Sequence, residues 1–331
     1  MQVNEEIYIP ISKEDDYDKD TVLLSQQPHM ITEDLDLPFH MDAAQHDQDK
    51  FIKVRILAGQ DWDRVNWRTG TLINPDTEAV KFKGAIIYFH GGGFKIGDTH
   101  TEFQHTSRLA RETGYIVFTI DYRVCHDYGY PTPLSDCFQL FLWVKKYAKK
   151  YLQIEFDNVI LHGDSAGGTL CLQIPLLCIL KQCVQPEGSI PMYPIADNNR
   201  TSFVPSLLGG LDECMLSSSE LDYFQTDYCK ETDPKNDFIL NPIIAPEKFL
   251  VKDGKSDHCP LRIFICGHDI LRDHEFLYIV KMAKLGIDAK GIEFRHQMHS
   301  SIIMDGDYDR ESNRSIALYN IIREIFELSI Y

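Results

Sequence analysis

The sequence predicts a doubly wound α/β fold built on a mostly parallel sheet, and two observations lead there. From Lys50 onward, short β-branched and aromatic runs alternate with stretches of helical pattern, the alternation that produces layered α/β domains. Several of the runs are apolar throughout, as in Ala85-Ile-Ile-Tyr-Phe89 and Arg262-Ile-Phe-Ile-Cys266. Strands covered on both faces read this way, whereas strands with one wet face alternate.

Taken in order, eight strands are expected: Phe51–Leu57, Trp67–Ile73, Gly84–Phe89, Tyr115–Asp121, Asn158–His162, Ser189–Tyr193, Leu261–Cys266 and Ile292–His296. Helices are expected at about Glu102–Thr113, Pro133–Tyr151, Ala166–Cys183, His274–Leu285 and Tyr308–Glu327. Pro133 suits a helix start, and Pro175 inside its helix predicts a kink. Two segments break the alternation. Residues 1–49 precede the first strand and read as an N-terminal cap. Residues 196–240 read as a cap insertion in a main domain of 50–331, because segments inserted beyond strand ends commonly form lids. Within the insertion, Ser217 or Ser218 is placed to cap a helix.

Charge narrows the partners. The chain has 33 Lys and Arg against 50 Asp and Glu, a net −17, which argues against nucleic acid and anionic membrane surfaces. Residues 1–50 hold 13 acids against three Lys, the composition of a solvated surface segment. Nine cysteines, an odd number with no Cys-x-x-Cys spacing, predict reduced thiols in a cytoplasmic protein rather than a disulfide framework or a zinc site. The first residues lack a basic stretch followed by an apolar one, so no signal peptide is expected. The longest apolar run, Gly167–Leu180, carries Gln173 and Pro175 and is too short to span a bilayer. No integral membrane segment, metal or cofactor is therefore expected.

The strongest chemical motif is Gly163-Asp164-Ser165-Ala166-Gly167-Gly168, preceded by an apolar strand and followed by an apolar helix. In that context Gly-x-Ser-x-Gly makes a sharp strand-to-helix turn. Small neighbours avoid backbone clashes there, and the serine hydroxyl stands at a helix N-terminus that favours developing negative charge. A second motif, His90-Gly91-Gly92-Gly93-Phe94, follows the strand Ala85–Phe89. Three glycines at a strand end cost stability, so a gain is expected in return: exposed N–H groups aimed at an oxyanion. Neither Gly-rich phosphate-binding pattern is present.

A serine nucleophile needs a base, and the base an orienting acid, both in loops after later strands. Asp269 and Asp273 are the candidates for the acid. His299, His296, His274 and His268 are the candidates for the base. His296 reads as the end of a strand, and Asp273 and His274 as the start of a helix, where an acid needs only a capping role.

Together these residues resemble the hormone-sensitive-lipase-like carboxylesterases, relatives of the arylacetamide deacetylases and the plant gibberellin receptors. The matching motifs are His90–Phe94 with Gly97, Tyr122-Arg123, Gly163–Gly168, the Asp269-x-Leu271-x-Asp273 loop and His299, spread over residues 50–331. The resemblance implies an α/β-hydrolase fold with a helical cap and a triad of Ser165, Asp269 and His299. It implies an oxyanion hole from the N–H groups of Gly92, Gly93 and Ala166, with His90 holding the loop. The chain departs from the family where Val124-Cys-His-Asp127 follows Tyr-Arg and where Ser300-Ser301 follow the late histidine.

The implied function is serine carboxylesterase chemistry on short- to medium-chain esters, with no cofactor and a small-molecule ester as partner. Two other readings are a deacetylase or amidase for a larger aryl or sterol-like substrate, and a non-catalytic small-ligand receptor. The receptor reading predicts a missing triad member, and none is missing. Phe94, Leu207, Leu208 and Met215 are expected to shape the pocket, and a homodimer is compatible with the family.

Overall fold

The computed structural model describes residues 3–10, 51–58, 65–66, 71–72, 80–125, 127–152, 154–199, 204–208 and 215–304. Its centre is an eight-stranded sheet of β1 (Val3–Pro10), β2 (Phe51–Ala58), β3 (Ala85–Phe89), β4 (Ile116–Asp121), β5 (Val159–Asp164), β6 (Gly188–Met192), β7 (Leu261–His268) and β8 (Ala289–Met298). Their spatial order is β1-β2-β4-β3-β5-β6-β7-β8. The strands from β4 to β8 in that order run parallel, and β1 and β2 are antiparallel additions at one edge.

The eighth strand differs from the expected one. Of the expected strand Trp67–Ile73, Thr71–Leu72 lies among the described residues and pairs with Val65–Asn66 in a separate two-residue ladder; the rest lies outside them. The edge strand comes instead from Val3–Pro10, whose Ile7 and Ile9 lie opposite Val54 and Ile52. The rest of segment 1–49 and the expected helix at Tyr308–Glu327 lie outside the described residues.

The central strands are buried on both faces, as their apolar runs demand. Ala85, Ile87 and Phe89 join one core with Phe138, Phe141, Leu170 and Ile263. Ile86 and Tyr88 join the other with Leu109, Val117, Ile160 and Phe264. Helix α1 (Phe103–Thr113) packs on the second face. Helices α2 (Thr132–Trp143), α3 (Ala166–Lys181) and α5 (Arg272–Lys284) pack on the first. Helix α4 (Ser218–Tyr228) lies in the expected cap insertion, and its start is written in its sequence. The Ser217 hydroxyl accepts from the Glu220 N–H, and the Glu220 carboxylate accepts from the Ser217 N–H at 2.8 Å, a reciprocal capping box.

Pro175 is accommodated within α3. A proline lacks the N–H that would reach the carbonyl four residues earlier, here that of Cys171. The Ser189 hydroxyl from β6 donates to that carbonyl instead, at 2.8 Å.

The order of the strands positions the site. The loop after β3, the turn after β5 and the loops after β7 and β8 all leave the carboxyl edge of the parallel sheet, where doubly wound folds assemble their sites.

Candidate active site

Ser165 occupies the turn between β5 and α3 with φ 51° and ψ −115°, a backbone conformation that costs on the order of 1–3 kcal/mol and clusters at functional positions. The glycines around it are required by space. A Cβ at Gly163 would lie 2.6 Å from the Phe89 carbonyl oxygen and 2.8 Å from Gly167 backbone, and one at Gly167 would overlap the Phe89 carbonyl outright. The turn is tied to the sheet by the Ser165 N–H, which donates to the Met192 carbonyl at 3.0 Å. Serine at a helix start ordinarily folds its hydroxyl back onto the first-turn N–H groups. Here it makes no capping bond, and its Oγ lies 2.9 Å from Nε2 of His299.

On the other side of the same ring, Nδ1 of His299 lies 2.7 Å from Oδ2 of Asp269. Asp269 is fully buried and its Oδ1 accepts from the Leu271 N–H at 3.0 Å. With Nδ1–H donating to the carboxylate, the Nε2 lone pair faces the serine hydroxyl and accepts from it. Tyr193 packs edge-on against the His299 ring at 4.9 Å between centroids, which limits the ring's rotation.

The rival residues are placed elsewhere. His268 and His296 are exposed and face each other at 6.5 Å. His274 is buried beside Asp197. Asp273 accepts from the Ser206 N–H at 2.8 Å and pairs with Arg272, so it fastens the short helix Pro205–Leu208 to α5.

The loop after β3 wraps against the serine turn. Gly92 and Gly93 have φ of 102° and 62°, which only glycine adopts without strain. A side chain at Gly91 would run into the Asp164 carboxylate, and one at Gly97 into the His90 ring. His90 stacks on Tyr122 at 4.1 Å, Tyr122 O–H donates to the His90 carbonyl, and the ring's Nδ1–H donates to the Gly91 carbonyl. Burial lowers the His90 imidazole from 6.5 to about 4, so it holds the loop as a neutral ring. Ala166, the first residue of α3, is buried directly after the serine.

A family profile described as alpha/beta hydrolase fold matches residues 86–303. The chain belongs to the alpha/beta hydrolase fold family. Its relatives carry the names lipase, carboxylic ester hydrolase and hormone-sensitive lipase. Lipase 2 of Moraxella sp. (strain TA144) is 26% identical over 70% of this chain and 61% of its own length. The carboxylic ester hydrolase LipN of Mycobacterium tuberculosis is 27% identical over 61% of this chain and 52% of its own. Human hormone-sensitive lipase is 30% identical over 44% of this chain and 13% of its own. The chain thus spans between about half and two thirds of the first two relatives. Among solved structures, an esterase of Pyrobaculum calidifontis superposes with a TM-score of 0.68 at 21% identity, covering 86% of this chain and 83% of that one. That likeness concerns the fold.

In this α/β hydrolase helix α4 sits directly on the glycine loop, a contact the sequence did not announce. The Phe224 ring occupies the space a Cβ on Gly93 would need. Phe94 is buried and stacks flat on Tyr228 at 3.6 Å. Lys95, also buried, pairs with Asp227 at 2.5 Å, and its Nζ lies 3.1 Å from the Tyr223 ring centroid. Of the other expected pocket residues, Leu207 is half-buried, while Leu208 and Met215 are 67% and 50% exposed.

Asp164 is a second residue that motif reading passed over. It accepts from the Tyr88 hydroxyl at 2.8 Å, and burial raises its carboxyl to about 6. Among the described residues, no group of three or more His, Cys, Asp or Glu could hold a metal ion. No described helix is long and apolar enough to cross a membrane.

Proposed function

We propose that this chain is a serine carboxylesterase acting on short- to medium-chain esters through an acyl-enzyme. The observation that carries the reading is the continuous line Asp269–His299–Ser165, with contacts of 2.7 and 2.9 Å. In it His299 takes the Ser165 proton as Oγ attacks the ester carbonyl, and Asp269 fixes the ring's tautomer. The N–H groups of Gly92, Gly93 and Ala166 stabilise the tetrahedral oxyanion. His299 then protonates the leaving alcohol, and water releases the acid by the same steps. The names of the relatives, lipase and carboxylic ester hydrolase, support an ester over an amide. Residues 196–240 act as the cap, a role supported by the packing of Phe224 and Tyr228 on the glycine loop, while Val3–Pro10 within 1–49 adds an edge strand to the sheet.

The test is a chain-length series of p-nitrophenyl esters, acetate to palmitate, with Ser165→Ala alongside. Turnover should peak at short acyl chains and vanish in the variant. Folded wild type that turns over none of the series, or Ser165→Ala that keeps its activity, would overturn the reading.

A further inference from the structure

Helix α3 starts at Ser165, and its far end carries a second arrangement of chemical interest. The helix closes in a Schellman turn. Gln182 is left-handed at φ 51° and ψ 40°, the Gln182 N–H donates to the Ile179 carbonyl, and the Cys183 N–H donates to the Cys178 carbonyl at 3.0 Å. This turn brings together the side chains of the residues five apart that it brackets, a contact normally made by two apolar groups. Here both are cysteines, Cys178 and Cys183. Cys178 is fully buried and Cys183 is partly open. Both line a cavity of about 900 Å3, whose wall holds Lys248, Lys252 and Lys255 against a single carboxylate, Asp257. A basic cavity is unusual on a chain of net charge −17.

From this geometry we propose that Cys183 and Cys178 form a reactive dithiol that takes a small anionic disulfide of the glutathione class into the lysine-lined cavity. The Cys183 thiolate attacks one sulfur of the incoming disulfide, forming a mixed disulfide and releasing the first thiolate. Cys178 then attacks the Cys183 sulfur, breaking the mixed disulfide, and its proton leaves with the second thiol. Two electrons pass from the dithiol to the small disulfide, and the product is a Cys178–Cys183 bond. The division of labour follows from the surroundings. The Cys178 S–H and Lys181 lower the Cys183 thiol below its ordinary value, while burial raises Cys178. Cys229, also partly open, is pushed up to about 12 by burial, and thiolate fraction governs such exchange.

The experiment treats the full chain with glutathione disulfide and maps the modified cysteines by mass spectrometry over time. No step uses Ser165, so the outcome is independent of esterase activity. Wild type should acquire the Cys178–Cys183 bond, and Cys183 should react at least about tenfold faster than Cys229. Cys178→Ser should accumulate one glutathionyl group on Cys183, and Cys183→Ser should leave Cys178 unmodified. Cystamine, a cationic disulfide, should react several-fold more slowly than glutathione disulfide at low salt, each rate taken relative to the urea-unfolded chain, and the gap should close in high salt. Equal rates at Cys183 and Cys229 in wild type would overturn the dithiol. Cystamine matching glutathione disulfide at low salt would overturn the anionic assignment.

Discussion

At Gly92 two requirements meet in one residue. Its φ of 102° lies where side chains are strained, and a Cβ there would collide with the Ile96 carbonyl, the carbonyl of a loop closed by the Ile96 N–H donating to Gly92 itself. Gly92→Ala must therefore reshape the loop that carries the proposed oxyanion donors. We expect kcat on p-nitrophenyl acetate to fall about 10²- to 10³-fold, the cost of losing one such donor, with KM nearly unchanged. A KM rise with kcat preserved would show that the loop binds substrate without acting on the transition state. The sequence made the glycines and Ser165 legible because their chemistry is local: a turn with no room for side chains reads directly as glycine. It left Asp269 and Asp273 undecided, because both stand in one loop after one strand. What separates them is long-range. Asp269 meets His299, thirty residues on, and Asp273 meets Ser206 of the short helix Pro205–Leu208.

At the scale of elements, the docking of α4 on the glycine loop rests on an asymmetric ion pair. Lys95 is 2% exposed at its side chain, and Asp227 is 39% exposed. Removing Asp227 leaves a buried ammonium without its carboxylate, which costs about 3–5 kcal/mol when a buried pair is broken from one side. Removing the Lys95 charge leaves a carboxylate that water reaches, a loss of about 1 kcal/mol, as for exposed pairs. Asp227→Ala should therefore lower stability in urea unfolding clearly more than Lys95→Met. Equal losses would mean that α4 is held by Phe94, Phe224 and Tyr228 alone. None of this was legible in the sequence, where Lys95 reads as one loop lysine among many. The central strands were legible because burial on both faces writes itself as an unbroken apolar run. Val3–Pro10 was not, since an edge strand can carry Glu5 and Glu6 among its isoleucines, and its acid-rich surroundings read as a solvated segment. Trp67–Ile73 carried strand-forming residues, and the described part of it, Thr71–Leu72, pairs with Val65–Asn66 outside the main sheet.

For the whole molecule, the buried titratable groups set opposing dependences of stability on pH. Burial lowers His90, His162 and His258 from 6.5 to about 4, and His105 well below 6.5. Between pH 4 and 6.5 the unfolded chain binds protons at these four rings that the folded chain does not, so stability rises with pH through that window. Buried acids act in the reverse sense. Burial raises Asp164 from 3.8 to about 6 and Glu102 from 4.5 to about 9, and it lifts Glu275 well above 4.5. The folded chain keeps these protons while the unfolded chain has released them, so each acid lowers stability as pH rises from its ordinary value to its folded one. Below pH 6 four histidines outweigh three acids, and above 6.5 the histidines no longer contribute while Glu102 still does. Stability should therefore pass through a maximum near pH 6.5. Between there and about pH 8.5, below the range where the buried thiols begin to count, Glu102 contributes a decline of at most about 1.4 kcal/mol per pH unit. A Tm profile from pH 4.5 to 8.5 tests this, with Glu102→Gln and Glu275→Gln alongside. Glu102→Gln should flatten the alkaline limb, because a glutamine has no proton to lose, and Glu275→Gln should raise stability wherever the folded carboxyl holds a proton that the unfolded chain has released. If the wild-type limb persists unchanged in Glu102→Gln and Glu275→Gln gains no stability, these carboxyls are ionised in the folded protein, and the acids buried beside the proposed catalytic centre carry their charge through the physiological range.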